Sequence, residues 1–473
     1  MDEIDRCMDE SIRGAIGVRA PPGILRSVPR LTSGRASKTC RLQDNPVLGT
    51  GTPGDFSVVP PIYIHMKLRL FTIAAALSAL PSFAHAQSTV NPFGVLIQSD
   101  WNANGVSEVI TDPNVRVTAA INAHAPYLRT AFRNMSTKMS GSTWPTGDGA
   151  WTNYVTYVDG GLNCLVNFGW NNAADGMNYF VTAAELTSYG DKLGGVLDQM
   201  AALNVSNASP AVVVIENEEA NIGYYGTDDR KAYLDQLAKA VTVVHAKGLK
   251  VTNGGLTDDA YNLFAWDYYT NRSPNVTLAA FFHDKLLSED KYWTDATHTT
   301  LGDGADHAWA ATKLAIARLL INGFHDDAAV FHKGYKTIGL DYINVHWYNN
   351  FWYKNGDPAD VLADHKTGLE YVVTLLTQLT GIPVITNEIG LRTDDQNTPI
   401  ENFAGGSTTT VRDTMNWART TLNMPYIIWY SGPATGTGAS NFPIALCDSA
   451  GGLTGYGLQF RHYIGNNNLQ PQP

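Results

Sequence analysis

Two stretches carry carboxylates where apolar segments end. Val212–Asn221 reads V-V-V-I-E-N-E-E-A-N, four branched apolar residues running into Glu216, Asn217, Glu218 and Glu219. Such a run has the form of a short strand buried on both faces, the habit of parallel sheets. Three carboxylates beside it are costly unless they are paired or used. Gly381–Gly390, G-I-P-V-I-T-N-E-I-G, has the same form and ends in Asn387-Glu388. Glu218 and Glu388, 170 residues apart, can then act as proton donor and nucleophile on either side of one scissile bond. Period two places Glu216 on the face of Glu218, either paired with a buried base or as a substitute acid. Glu219 is expected to be solvated or to cap the next helix.

The elements that must position these residues follow a regular alternation. Apolar strands are expected at Phe93–Gln98, Tyr127–Phe132, Leu162–Phe168, Val212–Ile215, Gly248–Asn253, Ile338–Val345, around Pro383, and at Pro425–Tyr430. Helical spacing separates them, as in Thr182–Leu203, Asp228–Lys247, Asp306–Leu320, Pro358–Leu379 and Val411–Leu422. Asp112 before Pro113 is a cap-and-first-turn signal for a helix reaching about His124. Eight strand–helix alternations predict an α/β fold, a (β/α)8 TIM barrel with its site at the carboxyl ends of the strands. No Gly-x-Gly-x-x-Gly follows strand one and no phosphate-loop motif is present, which argues against nucleotide binding.

The barrel is expected to occupy residues 87–473 as a single catalytic domain. At Met66 the sequence becomes basic (Lys67, Arg69), then apolar, then small at Ala84-His85-Ala86. This is the form of a signal peptide over 66–86, cleaved before Gln87, and it predicts a secreted or periplasmic protein with no membrane span once mature. Residues 1–65 lack sustained periodicity and read as a non-native or disordered leader. The chain holds 33 basic and 44 acidic residues, of which ten and seven lie before Gln87, leaving the remainder at −14. An acidic surface of this size disfavours nucleic acid and anionic membrane and suits a neutral polymer. Cys164 and Cys447 remain after Gln87; Cys164 falls in a central strand, so no disulfide is expected.

Two carboxyl groups about 5–5.5 Å apart across a glycosidic bond suit double displacement with retention. At Asn217-Glu218 and Glu388, closing strands four and seven, the sequence resembles clan A glycoside hydrolases, the 4/7 superfamily. The resemblance spans about Phe93 to Tyr463. It implies Glu218 as acid/base, Asn217 as ligand of the sugar 2-hydroxyl and Glu388 as nucleophile. It further implies Arg129 as the arginine that keeps the nucleophile ionised (with Arg133 its competitor), His346 and Tyr348 as strand-six contacts, and Trp429 as an aromatic floor. The sequence departs from the superfamily where Glu219 replaces a common proline and where asparagine precedes the nucleophile, so no individual family and no substrate transfers.

Trp101, Trp170, Trp347 and Trp429 fall at or just after strand ends, where indoles could cover the apolar faces of sugars. The run Trp347–Tyr353, W-Y-N-N-F-W-Y, has the composition of a sugar-binding rim. His283, His298, His307, His325 and His332 form no metal-ligand spacing, so neither a metal nor another cofactor is expected. The expected partner is a carbohydrate, met by a monomer. A catalytically silent carbohydrate-binding barrel is the alternative, and loss of either glutamate would have marked it.

Overall fold

The structure, a computed structural model, describes residues 89–97, 110–171, 178–228, 230–304, 306–323, 333–348, 358–391, 410–431 and 445–470. The leader, the signal-peptide segment, Trp101, His325, His332 and 349–353 of the aromatic run lie outside the described residues.

Eight parallel strands form one sheet in the order β5-β4-β3-β2-β1-β8-β7-β6. They are β1 (Phe93–Ile97), β2 (Tyr127–Phe132), β3 (Asn163–Phe168), β4 (Val212–Ile215), β5 (Val251–Asn253), β6 (Ile343–Tyr348), β7 (Val384–Gly390) and β8 (Ile427–Ser431). Bridges Thr252–Tyr342 and Leu256–Val345 join β5 to β6, closing the sheet into a (β/α)8 barrel. Alternation of side chains divides each strand between two cores. Tyr127, Leu165, Val212, Val214, Ile385, Tyr426 and Ile428 fill the inside. Their neighbours Val166, Phe168, Val213, Ile215 and Ile389 face the surrounding helices.

Local chemistry sets the helix starts. Asp112 accepts from the Asn114 amide with Pro113 in the first turn of Pro113–Asn122, and Asp148 caps Gly149–Asp159 in the same way. Leu186–Ala201 and Lys231–His245 bury stripes that include Leu193, Leu197, Leu237 and Val244. The β5–β6 connection builds a satellite core of Leu263, Leu287, Tyr292, Trp293, Ala310 and Leu314. His298 stacks there on Trp293 and its Nε2 lies 3.0 Å from Asp290. Strand six departs from expectation. Ile338 ends the short helix Tyr335–Ile338, Gly339 turns with φ 94°, and the strand runs from Ile343 through Tyr348. Cys164 and Cys447 are buried, and no disulfide joins them. Among the described residues no helix is long and apolar enough to cross a membrane.

Candidate active site

β4 ends at Ile215 and the backbone then turns left-handed twice, at Glu216 (φ 66°) and Glu218 (φ 49°). Both are uncommon for a residue with a β-carbon and mark a constrained turn. The first break ends the strand's parity, so Glu216 does not share a face with Glu218. Glu216 points away from the mouth and accepts from the Trp170 amide (2.8 Å), Gln236 Nε2 (2.7 Å) and the Tyr225 hydroxyl (3.0 Å). Burial pushes its carboxyl up to about 7, against those three hydrogen bonds. Glu219 is fully buried rather than solvated. It accepts from Asn253 Nδ2 at 2.8 Å and from the Tyr335 hydroxyl, and burial raises its carboxyl too. The cap of the one-turn helix Ile222–Tyr225 is Asn221, whose Oδ1 accepts from Gly223.

The other end of the Asn221 amide reaches the acid candidate, with Nδ2 donating to Glu218 Oε2 at 2.8 Å. Glu218 Oε1 lies 3.1 Å from His346 Nδ1. The opposing carboxylate comes from β7, where a register shift sets the four residues Ile385 to Glu388 against the three from Asn344 to His346 of β6. This bulge turns both Asn387 and Glu388 toward the interior. Glu388 accepts from Arg129 Nη1 and from the Tyr348 hydroxyl. Arg129 also donates to Asn167 Oδ1 (3.0 Å), the Asn387 carbonyl (3.1 Å) and Asn217 Oδ1 (2.5 Å). Arg133 is exposed and holds no part of this site's hydrogen bonding. Burial would raise the Glu388 carboxyl, but His346, Arg129 and the Tyr348 hydroxyl bring it down to about 2. His346 is buried, which disfavours its cation, yet Glu388 and Glu218 raise it above the ordinary imidazole range. One oxygen of Glu218, one of Glu388 and a ring nitrogen of His346 all lie within 4.8 Å of one another.

Trp170, Trp347 and Trp429 are placed otherwise than the sequence suggests. Trp170 and Trp429 are 2% and 1% exposed. Trp170 packs edge-on to Tyr189 and Trp429 edge-on to Phe460, both in the outer core. By strand parity the interior residue at the end of β8 is Tyr430, which meets the ring of Tyr348 at 6.0 Å. Trp347 is likewise outer, against Trp417. Tyr224, on Ile222–Tyr225, is 41% exposed. Its hydroxyl is pushed up first by Glu218, then by burial and Glu388, against Arg133 and Arg129. Sequence reasoning gave no role to Asn167, Asn221, Asn344, Asn387 as a side chain, Tyr224 or Tyr430. Parity counted from Ile428 would have selected Tyr430; the amides left no signal.

No family model matches the sequence and no curated protein matches it. Among solved structures the chain is similar to a GH30 endoxylanase from Clostridium papyrosolvens C71, at 13% identity over 80% of this chain and 72% of that one, TM-score 0.40. It is similar to a monomeric beta-xylosidase from Caulobacter crescentus CB15, at 11% over 80% and 69%, TM-score 0.45. A GH128 endo-beta-1,3-glucanase from Amycolatopsis mediterranei matches at 12% over 78% and 98%, TM-score 0.36. Likeness at this level transfers neither activity nor substrate, which the side chains of the site have to supply.

Proposed function

We propose that the protein is a retaining β-glycosidase of a polysaccharide or oligosaccharide, with Glu218 as acid/base and Glu388 as nucleophile. One observation carries the reading: two glutamates from the ends of β4 and β7 meet with oxygens within 4.8 Å, and their surroundings differ in charge. Glu388 is ion-paired with Arg129 and stays ionised, as a nucleophile must. Glu218 is held by a neutral amide and an imidazole, partners that tolerate a protonated carboxyl. One oxygen of each lying within 4.8 Å of the other agrees with the short spacing of double displacement rather than the wider gap that admits a water. Arg129 engages Asn217 Oδ1, so Asn217 Nδ2 is left to donate to a sugar hydroxyl. Tyr348 would follow charge on Glu388 as the covalent bond forms, and Tyr224 offers an exposed ring beside the acid. Secretion as a monomer from Gln87 fits this role.

Glu218, His346 and Glu388 are also, among the described residues, the group whose atoms could hold a metal ion. The Arg129 guanidinium on Glu388 opposes a second cation there. Turnover is therefore expected to survive EDTA; its loss, restored by added zinc, would favour a metallohydrolase.

The test is a screen of the Gln87–Pro473 protein on β-glucans, mannans, xylans and arabinosides, followed by role assignment. Glu388→Gln should abolish turnover on every substrate. Glu218→Ala should spare formation of the glycosyl-enzyme from aryl glycosides with low-pKa phenols, and azide should then restore turnover as a β-glycosyl azide. A β-azide from a variant at 388, with an α-azide from Glu218→Ala, would exchange the roles. Full activity in Glu218→Ala would reject Glu218 as the acid.

A further inference from the structure

Beneath the two carboxylates runs a chain of amides whose orientations are fixed by donors that have only one possible role. Arg129 Nε can only donate, so the Asn167 atom 3.0 Å away is its carboxamide oxygen. Asn167 Nδ2 accordingly donates to the Glu216 carbonyl at 2.9 Å. The same Asn167 oxygen lies 3.2 Å from Asn387, whose facing atom must then be the amide nitrogen. An independent route gives the same answer. The Asn387 backbone N–H donates to Asn344 Oδ1 at 2.9 Å, which leaves Asn344 Nδ2 to donate to Asn387 Oδ1 at 2.7 Å. Both routes put the Asn387 carboxamide oxygen 2.8 Å from His346 Nε2. That oxygen carries no hydrogen, so Nε2 must.

Nδ1 is then the ring atom whose protonation is open. It lies 3.1 Å from Glu218 Oε1 and 3.7 Å from Glu388 Oε2. The groups around the ring are Glu218 from the turn after β4, Asn387 and Glu388 from β7, and Arg129 from β2. Tyr348 follows on β6, the Gly255 backbone packs from the β5 side, and the buried Glu219 lies beyond it. A bare Nδ1 lone pair against two ionised carboxylates would be repulsive. Glu388 Oε2 already takes a proton donor from Arg129. One proton therefore belongs on the edge between Nδ1 and Glu218.

We propose that Asn387 is a positioning residue that holds His346 in its Nε2–H form, so that His346 and Glu218 jointly store the one proton the leaving group needs. This rests on the glycosidase reading above. In the first step Glu218 gives that proton to the leaving oxygen as its bond to the anomeric carbon breaks and a Glu388 oxygen bonds that carbon. In the second, Glu218 takes a proton from a water whose oxygen bonds the anomeric carbon as the Glu388 bond breaks, and the stored proton is restored. Without the Asn387 acceptor, neutral His346 can carry its hydrogen on Nδ1 and donate to ionised Glu218, a pair with one proton fewer.

Nitrogen NMR of 15N-histidine-labelled protein, with His346 identified by its loss in His346→Gln, reads the tautomer without turnover. Nε2 is expected to stay protonated at every pH where the protein is folded, with Nδ1 alone titrating. A bare Nε2 with hydrogen on Nδ1 in the unaltered protein overturns the proposal. In kinetics, Asn387→Ala should lower the basic limb of kcat/KM by about one pH unit. Asn387→Asp keeps an acceptor and adds charge, so it should raise that limb by about one unit. Equal losses of kcat with both limbs unmoved would make the residue merely structural and reject the proposal. If no glycoside is hydrolysed at all, the glycosidase reading falls while the NMR result still decides the tautomer.

Discussion

Glu216, Glu218 and Glu219 are the same residue type within four positions, yet each faces a different direction. Ionisation of Glu216 opposes folding, as does that of Glu219, and the Glu216 carboxyl rises to about 7 in the folded protein from an ordinary value near 4.5. A raised carboxyl favours the fold fully below the unfolded value, and that advantage is lost as pH climbs through about 7. Above pH 7, burying the ionised form costs on the order of 3 kcal/mol. Glu216→Gln keeps an oxygen for Trp170 and Gln236 and offers its nitrogen to the Tyr225 oxygen. It should leave kcat intact, match the unaltered protein in thermal stability at pH 5 and exceed it at pH 8. A large loss of turnover would instead restore Glu216 as the acid. The two catalytic candidates were legible because their chemistry sits where a strand stops. The direction of Glu216 was not, since nothing in a glutamate announces a left-handed backbone. The superfamily resemblance implies Trp429, whereas strand parity places Tyr430 inside the barrel.

At the scale of elements, three irregularities build the site on a regular frame: the double turn after β4, the bulge in β7 and the backbone at Gly255. Strand existence was readable from branched apolar runs, and seven of the eight strands lie close to their expected positions. The sequence places strand six early because Ile338 and Leu340 continue the apolar pattern, while Gly339 turns the chain before the strand begins. The bulge was invisible, as one additional residue leaves composition unchanged. Gly255 is the element feature that mutation can test. Its φ is 124°, and a β-carbon there would stand 2.2 Å from His346 Nε2. Gly255→Ala is expected to displace the imidazole and lower kcat on an aryl glycoside about 100-fold, an effect of the size that a 1 Å misplacement produces. Unchanged kcat would show that the ring does not depend on this seat.

For the whole molecule, eight alternations and the absence of nucleotide motifs were enough to anticipate a barrel. The interior amides were not anticipated, since each belongs to a different strand and only closure brings them together. That closure is unusual where β5 meets β6. Asn253 Oδ1 accepts the Asn344 N–H at 2.7 Å and its Nδ2 donates to the Asn344 carbonyl at 3.0 Å. A side chain thus stands in for a peptide unit in the ladder. The Leu256 and His346 amides extend the junction, to the Asn344 and Leu256 carbonyls respectively, and the Asp341 amide and Thr252 hydroxyl tie its other end to the Val251 and Tyr342 carbonyls. Asn253 also grips Glu219, and Asn344 grips Asn387. The last seam of the barrel and the wiring of its chemistry are therefore the same few atoms. Opening that seam would undo the cylinder and the proposed site together. On heating, residual activity and circular dichroism should decay with one rate constant. The Leu256 and His346 amides should exchange with solvent deuterium at that same rate, so the working lifetime of the proposed site is the lifetime of one seam.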